Sequence, residues 1–352
     1  MSEPLSAVDA VSPAIDHTRS HLFRPFHFAK WARLAVITFL SGEVVGGGGG
    51  GGTGFQFPAP PSGGGGSEEL FFLQSSPVEQ RLLEFLPWIL LGAAALFALM
   101  LLWIFIHSVF RFILFDAVLN DRWRIREGWS RWTGRGSSFF LWQLGYDLAF
   151  LVALAVVVGL PVLLALQAGW FKDPGRNVGA LVLGVLLLLL LVFATVVAGL
   201  VIAALAKDFV VPIMALDDVG VIEGWRRALP LMRGAKLSFA GYLGMKIVLT
   251  IAAGILFGIL GAIAALVIVV PLVILGVSLA AAGFFSGLAW TPATIAAAVV
   301  LGLIALGLII YVVSFVSVPS AVFFQSYTLH FFAGRYPRLA AVLASSSPPA
   351  SP

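Results

Sequence analysis

The sequence contains no cysteine and few charged residues, and both deficits narrow what the chain can be. Without cysteine, disulfide bonds, thiolate catalysis and cysteine-ligated zinc or iron–sulfur sites are excluded. Only 11% of the 352 residues are charged and 60% are apolar, whereas soluble domains are about a quarter charged and about half apolar. A water-soluble fold is therefore excluded, which leaves an integral membrane protein.

The sequence also lacks the residue patterns of catalysis, cofactor binding and nucleic-acid binding. It shows no Ser-His-Asp order, no paired carboxylates and no metal-ligand set, because only His17 and His21 stand one helical turn apart. The glycine runs lack the Lys-Ser/Thr sequence of a phosphate-binding loop. The net charge of +4 arises from basic residues beside apolar helices. We therefore expect no enzyme activity, no cofactor, no metal and no nucleic-acid partner.

Apolar runs long enough to cross ~30 Å of hydrocarbon recur along the chain, and they predict an all-α membrane protein with about six transmembrane helices. The first run, residues 31–45, is short and must be completed or be re-entrant, so five crossings are the alternative. Residues 271–290 are predicted as a connector because glycine and proline interrupt them. The other predicted spans are residues 86–119, 139–168, 178–205, 237–270 and 292–324.

Composition also predicts the domain organisation. Residues 1–25 are polar and lack the apolar core of a signal peptide, so they are predicted to be a cytoplasmic N-terminal segment. Residues 26–340 form the transmembrane domain, and a Gly/Pro-rich extracytoplasmic loop, residues 46–66, lies within it. Residues 341–352 are predicted to be a disordered tail.

The distribution of basic residues predicts the orientation. Of the 21 lysines and arginines, 17 fall in segments on one side of the predicted spans. The opposite loops carry only Arg81, Lys172 and Arg176, and Lys246 lies within a span. Because the basic side of a membrane protein faces the cytoplasm, we predict a bacterial inner-membrane protein with both termini in the cytoplasm.

An internal repeat is the most specific pattern in the sequence. Residues 121–131 and 217–227 share Asp, Glu-Gly-Trp and Arg at an offset of 96. A fainter copy, residues 29–33, precedes the Trp129 region by 98 residues. These copies predict three repeats, each an amphipathic Trp/Arg connector helix followed by a helix pair.

The connectors are predicted to lie in the cytoplasmic interface, because tryptophan and arginine at helix ends form an aromatic belt and a basic anchor for anionic lipid. Asp121 and Asp217 are predicted to be N-caps of the connector helices. The predicted interfacial residues are Trp31, Arg33, Asp121, Glu127, Trp129, Arg131, Asp217, Glu223, Trp225, Arg226 and Arg227.

Asp147 and Lys246 are ionisable residues inside apolar spans, and such residues mark a functional site or an internal pair. Asp147 follows Arg135 by 12 residues and Lys246 follows Arg233 by 13, so the repeat places both at nearly the same depth. We predict an intramembrane ion pair between them. The alternatives are that Lys246 snorkels to the headgroups, that Asp147 bonds to a neighbouring helix, or that both serve transport or proton transfer.

Four segments resemble an uncharacterised family of bacterial multi-pass membrane proteins, which is itself similar to the membrane domain fused to some glycerophosphodiester phosphodiesterases. The segments are residues 26–31 with the following glycine run, 112–129 with the later Arg135-Gly136, 208–227, and 324–332. The resemblance covers residues 22–340 and implies a six-helix membrane fold. It implies no catalytic residue, because the phosphodiesterase barrel is absent from the sequence.

These observations predict a non-enzymatic membrane protein that organises the membrane, its lipids or a membrane-bound partner. The alternative is a small permease or transporter subunit, whose polar path would rest on Asp147, Lys246, Gln143 and Thr195. A membrane-embedded enzyme would need convergent acid, base or metal groups, and the sequence supplies none.

Overall fold

The computed structural model describes residues 5–24, 26–44, 77–172, 175–286 and 291–346, and this part of the chain is helical and contains no β-strand. A five-residue π-helical turn, Ala206–Val210, joins the fifth helix to the sixth. The α-helices are α1 (Val11–Phe23), α2 (Phe28–Leu40), α3 (Pro77–Asn120), α4 (Ile125–Gln167), α5 (Val178–Leu205), α6 (Val211–Asp217), α7 (Val221–Gly234), α8 (Lys236–Ser286), α9 (Pro292–Ala333) and α10 (Pro337–Ser346).

Five helical stretches are long and apolar enough to cross a membrane. In each stretch, only 6% of the most apolar 18-residue segment is buried inside the protein. Their apolar side chains therefore face outward, where hydrocarbon rather than water covers them. The chain is accordingly a multi-pass membrane protein. The five stretches are Phe85–Asn120, Ile125–Gln167, Val178–Asp217, Lys236–Ser278 and Thr294–Ala333.

Helix α2 is not among these five stretches. Its 13 residues extend about 20 Å, which is less than the hydrocarbon thickness of about 30 Å. A Schellman motif ends it: Gly42, at φ 73°, donates to Phe39 O and Glu43 donates to Thr38 O, each at 3.0 Å. The helix therefore stops before residue 45, and the sixth crossing stays a prediction.

The connector predicted over residues 271–290 is wrong for its first part, because α8 continues through Pro271 to Ser286. A proline removes one backbone hydrogen bond, and a long apolar helix tolerates that loss. The connector predicted around Trp129 is likewise not a separate helix, since α4 runs without a break from Ile125 into its span.

The long helices exceed the bilayer thickness, and their excess length builds a buried core. Forty residues, as in Val178–Asp217, extend about 60 Å as helix, twice the hydrocarbon thickness. The core contains the end of α3, the π-helical turn, α6 and the second half of α9, together with α1 and α2. Phe209 lies at its centre, with ring centroids 4.9 Å from Phe239 and 5.1 Å from Phe332.

Both terminal regions join this core. Helix α1 packs against α9, and Tyr327 and Arg335 donate to the carbonyls of Ala7 and Leu5 at 3.0 and 3.1 Å. Residues 5–24 therefore pack onto the core, and the cytoplasmic location of residues 1–25 stays a prediction. Helix α10 extends to Ser346, into the region predicted to be disordered. The predicted loop 46–66 lies outside the described residues.

Candidate functional site

The predicted ion pair between Asp147 and Lys246 is wrong. Lys246 Nζ instead donates to Asp208 Oδ2 at 2.6 Å, and neither of these side chains is more than 5% exposed. Asp147 is half-buried on α4, and the cation that acts on it is Arg111. Lys246 does not snorkel either, because the π-helical turn brings a carboxylate to it within the core.

Lys246 belongs to a larger group of buried ionisable residues, here called the charge cluster. Glu43 accepts a hydrogen bond from Lys207, and these two side chains are 4% and 13% exposed. Tyr242 Oη lies 3.1 Å from Asp208 Oδ2 and 2.7 Å from Thr328 Oγ1. The cluster thus joins α2, the π-helical turn, α8 and α9. Its members are Glu43, His107, Arg111, Lys207, Asp208 and Lys246.

Arg111 and His107 form the α3 side of the charge cluster. Arg111 Nη2 lies 2.7 Å from His107 Nε2, and because arginine can only donate, that ring nitrogen accepts. His107 Nδ1 then carries the proton and donates to Leu40 O at 3.2 Å. The guanidinium carbon lies 5.6 Å from the ring of Phe139. Arg111 Nε is buried without a hydrogen-bond partner among the described residues.

Charge is balanced across this region. The three cations are Arg111, Lys207 and Lys246; the carboxylates of Glu43 and Asp208 lie among them, and Asp147 interacts with Arg111 at longer range. Burying an unpaired charge costs several kcal/mol or more, which pairing offsets. The arrangement can therefore hold helix ends together, and it could also accept or release a proton.

Two local features of the sequence build the charge cluster. Pro212 cannot donate a backbone hydrogen bond and its ring crowds the carbonyl of Asp208, which favours the wider π-helical turn. That turn directs Lys207 to α2 and Asp208 to α8. At Gly42 a Cβ atom would lie 2.2 Å from His107 Cε1, so only glycine lets the end of α2 approach α3 this closely.

The two clear copies of the repeat share a backbone feature. Asp121 and Asp218 adopt left-handed conformations, with φ of 56° and 54°. Aspartate tolerates this region better than most residues, and here it ends the preceding helix. The predicted N-cap roles of Asp121 and Asp217 are wrong, because the N-cap positions of α4 and α7 are Arg124 and Gly220.

The Glu-Gly-Trp motif is a packing motif in both copies. A Cβ on Gly128 would lie 3.1 Å from Ile113, and one on Gly224 would lie 2.8 Å from Val210. Each glycine thus lets the connector lie directly on the preceding helix. The three-repeat arrangement itself stays a prediction.

The three predicted interfacial tryptophans differ in burial. Trp129 and Trp225 are half-buried, packed at 6.0 Å from Phe105 and 5.8 Å from Trp142. Trp31 is 7% exposed and donates to Leu22 O at 3.1 Å. The interfacial role predicted for Trp31 is wrong, because the aromatic rings of Phe23, Phe26 and Phe315 cover its indole.

Most charged connector residues pair within the protein. Arg131 donates to Asp116 at 3.2 Å, and Lys30 pairs with Asp121 at 2.7 Å. Arg33 stacks 4.7 Å above the ring of Trp123.

The second connector holds the densest set of these pairs. Asp217 accepts from Arg227, from Tyr336 and, at 2.7 Å, from Arg338. Glu223 pairs with Arg226 at 3.0 Å and with Arg227 at 2.9 Å, as Glu127 does with Arg124 at 2.9 Å. Only part of the connector charge therefore remains to meet lipid.

Helix α7 nevertheless exposes a mixed apolar and basic surface, here called the α7 face. Ile222, Leu229 and Leu237 are 80%, 39% and 89% exposed. Ile222 and Leu229 share one side of α7 with exposed Arg226 and Arg233, at a spacing of three to four residues. Exposed Lys236 and Leu237 follow at the start of α8. Residues 121–140 expose no large apolar side chain. The two connectors, alike in sequence, thus present different surfaces.

A histidine cluster lies between α1 and α9. The ring of His17 is 5.8 Å from that of His21 and 5.6 Å from that of His330. Burial is the main cause that lowers the pKa of His17, and it lowers that of His21 to about 4. Within the described residues no group of three or more histidine and carboxylate side chains could hold a metal ion.

The carboxylates that complete the charge cluster were not predicted as site residues. Asp208 and Glu43 are charged residues next to apolar segments. The Lys207-Asp208 dipeptide inside an apolar run was a signal for buried charge. His107 lies four residues before Arg111 on one helix face, and that spacing was the signal for its place in the charge cluster.

Comparison with known proteins places nearly the whole chain in one family. No curated protein and no solved structure matches it. A similarity to the membrane domain of glycerophosphodiester phosphodiesterases is not among the matches and stays a prediction from the sequence. The chain belongs to the family of unknown function DUF7544, whose model matches residues 5–342.

Proposed function

We propose that this protein is a non-enzymatic component of the bacterial cytoplasmic membrane that binds anionic lipid along the α7 face. In this way it organises lipids or positions a membrane-bound partner protein. The α7 face is the observation that carries the proposal, because three exposed apolar side chains alternate there with three exposed basic ones. No nucleic-acid partner and no cofactor form part of this function.

The α7 face suits the boundary between water and hydrocarbon. Helix α8, which is long enough to cross the membrane, begins directly after α7 at Lys236. Apolar side chains there insert between headgroups, and each nearby lysine or arginine gains about 1 kcal/mol from anionic lipid.

The proposal includes six crossings in three repeats, with both termini in the cytoplasm. The excess of basic residues on one side supports this orientation. The shared left-handed aspartates, Asp121 and Asp218, support a common origin for two of the repeats.

Two charge-matched double variants test the lipid proposal. Arg226→Gln with Arg233→Gln removes two charges from the α7 face. Arg122→Gln with Arg126→Gln is the control, because it removes two exposed charges from a surface without exposed large apolar side chains. Native mass spectrometry then counts phosphatidylglycerol bound to each protein in mild detergent. We expect the α7 variant to lose several-fold more than the control, and equal retention by both variants would refute the proposal.

The charge cluster favours a second function, a transporter or proton-coupled permease. This second function rests on Asp147, which is half-buried within a span. Asp147 interacts electrostatically with Arg111, which belongs to the charge cluster with five further ionisable groups. Proteoliposomes with a pH-sensitive interior dye test this function. Proton uptake that Asp147→Asn abolishes would favour transport, and uptake at the rate of empty vesicles would exclude it.

A further inference from the structure

A groove of about 480 Å³ separates the N-terminal segment from the beginning of α8. One wall contains Ser6 and Val8, and the other contains Ser238, Gly241, Met245 and Val248. The volume falls within the range of about 300–1,000 Å³ that small-molecule sites occupy. Apolar side chains dominate the lining, and the two serines are its polar groups.

The N-terminal wall of the groove is fixed by hydrogen bonds rather than by chance contact. Tyr327 donates to Ala7 O at 3.0 Å and Arg335 donates to Leu5 O at 3.1 Å. Ala10 and Ala14, which follow in the chain, are fully buried. The N-terminal segment is therefore held by hydrogen bonds at Leu5 and Ala7 and by burial at Ala10 and Ala14. The space between this segment and α8 stays open.

The groove is continuous with the membrane-facing side of α8. Val248 lines it and is 60% exposed, and Ile251 and Ile255, further along the same helix, are 59% and 61% exposed. The groove thus forms an apolar channel from the spanning part of α8 to the first turn of that helix. Lipid hydrocarbon chains contact such a channel along its length. At its other end it meets Ser6, Ser238 and the neighbouring Lys236.

We propose that this groove binds one acyl chain of a single membrane phospholipid, whose headgroup lies at the end formed by Ser6 and Ser238. The chain fits the apolar walls, and the Ser238 hydroxyl and Lys236 meet the phosphate, since the Ser6 hydroxyl donates to Asp9. The site holds lipid by its chain and so accepts zwitterionic and anionic headgroups. It shares Leu237 and Lys236 with the α7 face but uses none of the arginines of that face, so it does not depend on the arginine contacts of the proposed function.

Two glycine substitutions on α8 test the groove. A Cβ on either Gly241 or Gly244 would meet no atom within 4 Å, so leucine is sterically tolerated at both. Only Gly241 lines the groove. After purification from bacterial membranes and prolonged detergent exchange, lipid phosphorus is measured per polypeptide. Gly244→Leu should retain as much lipid as the wild type, and Gly241→Leu should retain one phospholipid fewer than either.

Val8→Trp fills the same space from the opposite wall and should also displace the lipid. Thermal unfolding in detergent checks that both groove variants fold as Gly244→Leu does. Full retention by Gly241→Leu, or no lipid on the wild type, overturns the proposal. The proposal is also overturned if Gly241→Leu loses its lipid only because it unfolds, while Val8→Trp stays folded and keeps its lipid. The Arg226, Arg233 variant should keep its groove lipid, which separates this site from the α7 face.

Discussion

Lys246 and Asp208 lie on different spans, yet their side chains meet at 2.6 Å inside the core. Next to Asp208, Lys207 bonds Glu43 at the end of α2. Two consecutive residues of one π-helical turn thus attach two other helices to it. The charges hold the ends of α2, α5 and α8 in register where apolar packing alone would allow sliding.

Removing either member of the Lys246–Asp208 pair should destabilise the protein more than removing both. Lys246→Met strands a buried carboxylate, and breaking a buried pair costs about 3–5 kcal/mol. The double variant Lys246→Met, Asp208→Asn leaves neither charge alone and should recover much of the loss in detergent melting temperature. Asp147→Asn is the control, and its coupling to Lys246→Met should be much weaker than that of Asp208→Asn, because Asp147 reaches Lys246 only through Arg111. Stronger coupling of Lys246 to Asp147 than to Asp208 would contradict the structure.

Gly42→Ala should destabilise the contact between α2 and α3. The substitution places a Cβ on a residue at φ 73°, directly against the His107 ring. A strained backbone position of this kind costs on the order of 1–3 kcal/mol, and displacement of the imidazole adds to that cost. Gly145→Ala is the matched control, because a Cβ there meets open space. A Gly42→Ala protein that melts with the control would show that the α2 turn is not held as described.

Acidification should loosen the docking of α1. His21 has a folded-state pKa of about 4, which is below the ordinary 6.5, mainly because it is buried. The unfolded state therefore binds the proton first, and stability falls as pH drops from about 6.5 towards about 4, by roughly 3 kcal/mol at the full shift.

Lys30, Asp121 and His17 act on the same ring, and His330 adjoins His17. Hydrogen exchange of α1 amides at about pH 7 and about pH 5 measures the effect. His21→Phe keeps a ring at this position and should reduce the pH dependence, while His17, whose pKa burial also lowers, keeps its own contribution. Equal protection factors at both pH values in the wild type, after correction for the pH dependence of intrinsic amide exchange, would disprove the prediction.

Single cysteines can test the orientation cleanly, because the chain has no native thiol. Ser130 and Ser345 should lie on one side, since Arg338 of α10 pairs with Asp217 beside the second connector. Lys172 follows α4, whose 43 residues extend about 65 Å. In intact spheroplasts an impermeant reagent should label cysteine at 172 only. Labelling at 130 or 345 without permeabilisation would reverse the orientation.

Hydropathy sufficed to predict the five long spans, because length and apolar content alone determine whether a helix can cross a membrane. It did not predict the bounds of α4 or α8, since a helix continues through Gly136 or Pro271 when tertiary packing supports it. The end of α2 was readable from Gly42, whose position after Ser41 is typical of a Schellman motif.

The pairing of buried charges could not be predicted from repeat positions. Equal depth is necessary for a pair, but rotation of each helix about its axis decides which side chains face each other. The two copies of the repeat also differ in helix rotation, because the second contains the π-helical turn and the first does not. Asp208 thereby reaches Lys246, while Asp147 lies near Arg111.

The π-helical turn at Ala206–Val210 carries one more residue than an α-helical turn needs. Deleting a single residue there would let the helix close regularly and would leave α6 in nearly its present orientation, because five π-helical residues and four α-helical residues turn through nearly the same angle. Gly224 and Arg338 would then keep their contacts with Val210 and Asp217. The deletion would instead remove the widened turn that directs Lys207 and Asp208 to different helices, so a relative that is one residue shorter here should lack one of the two buried charge pairs.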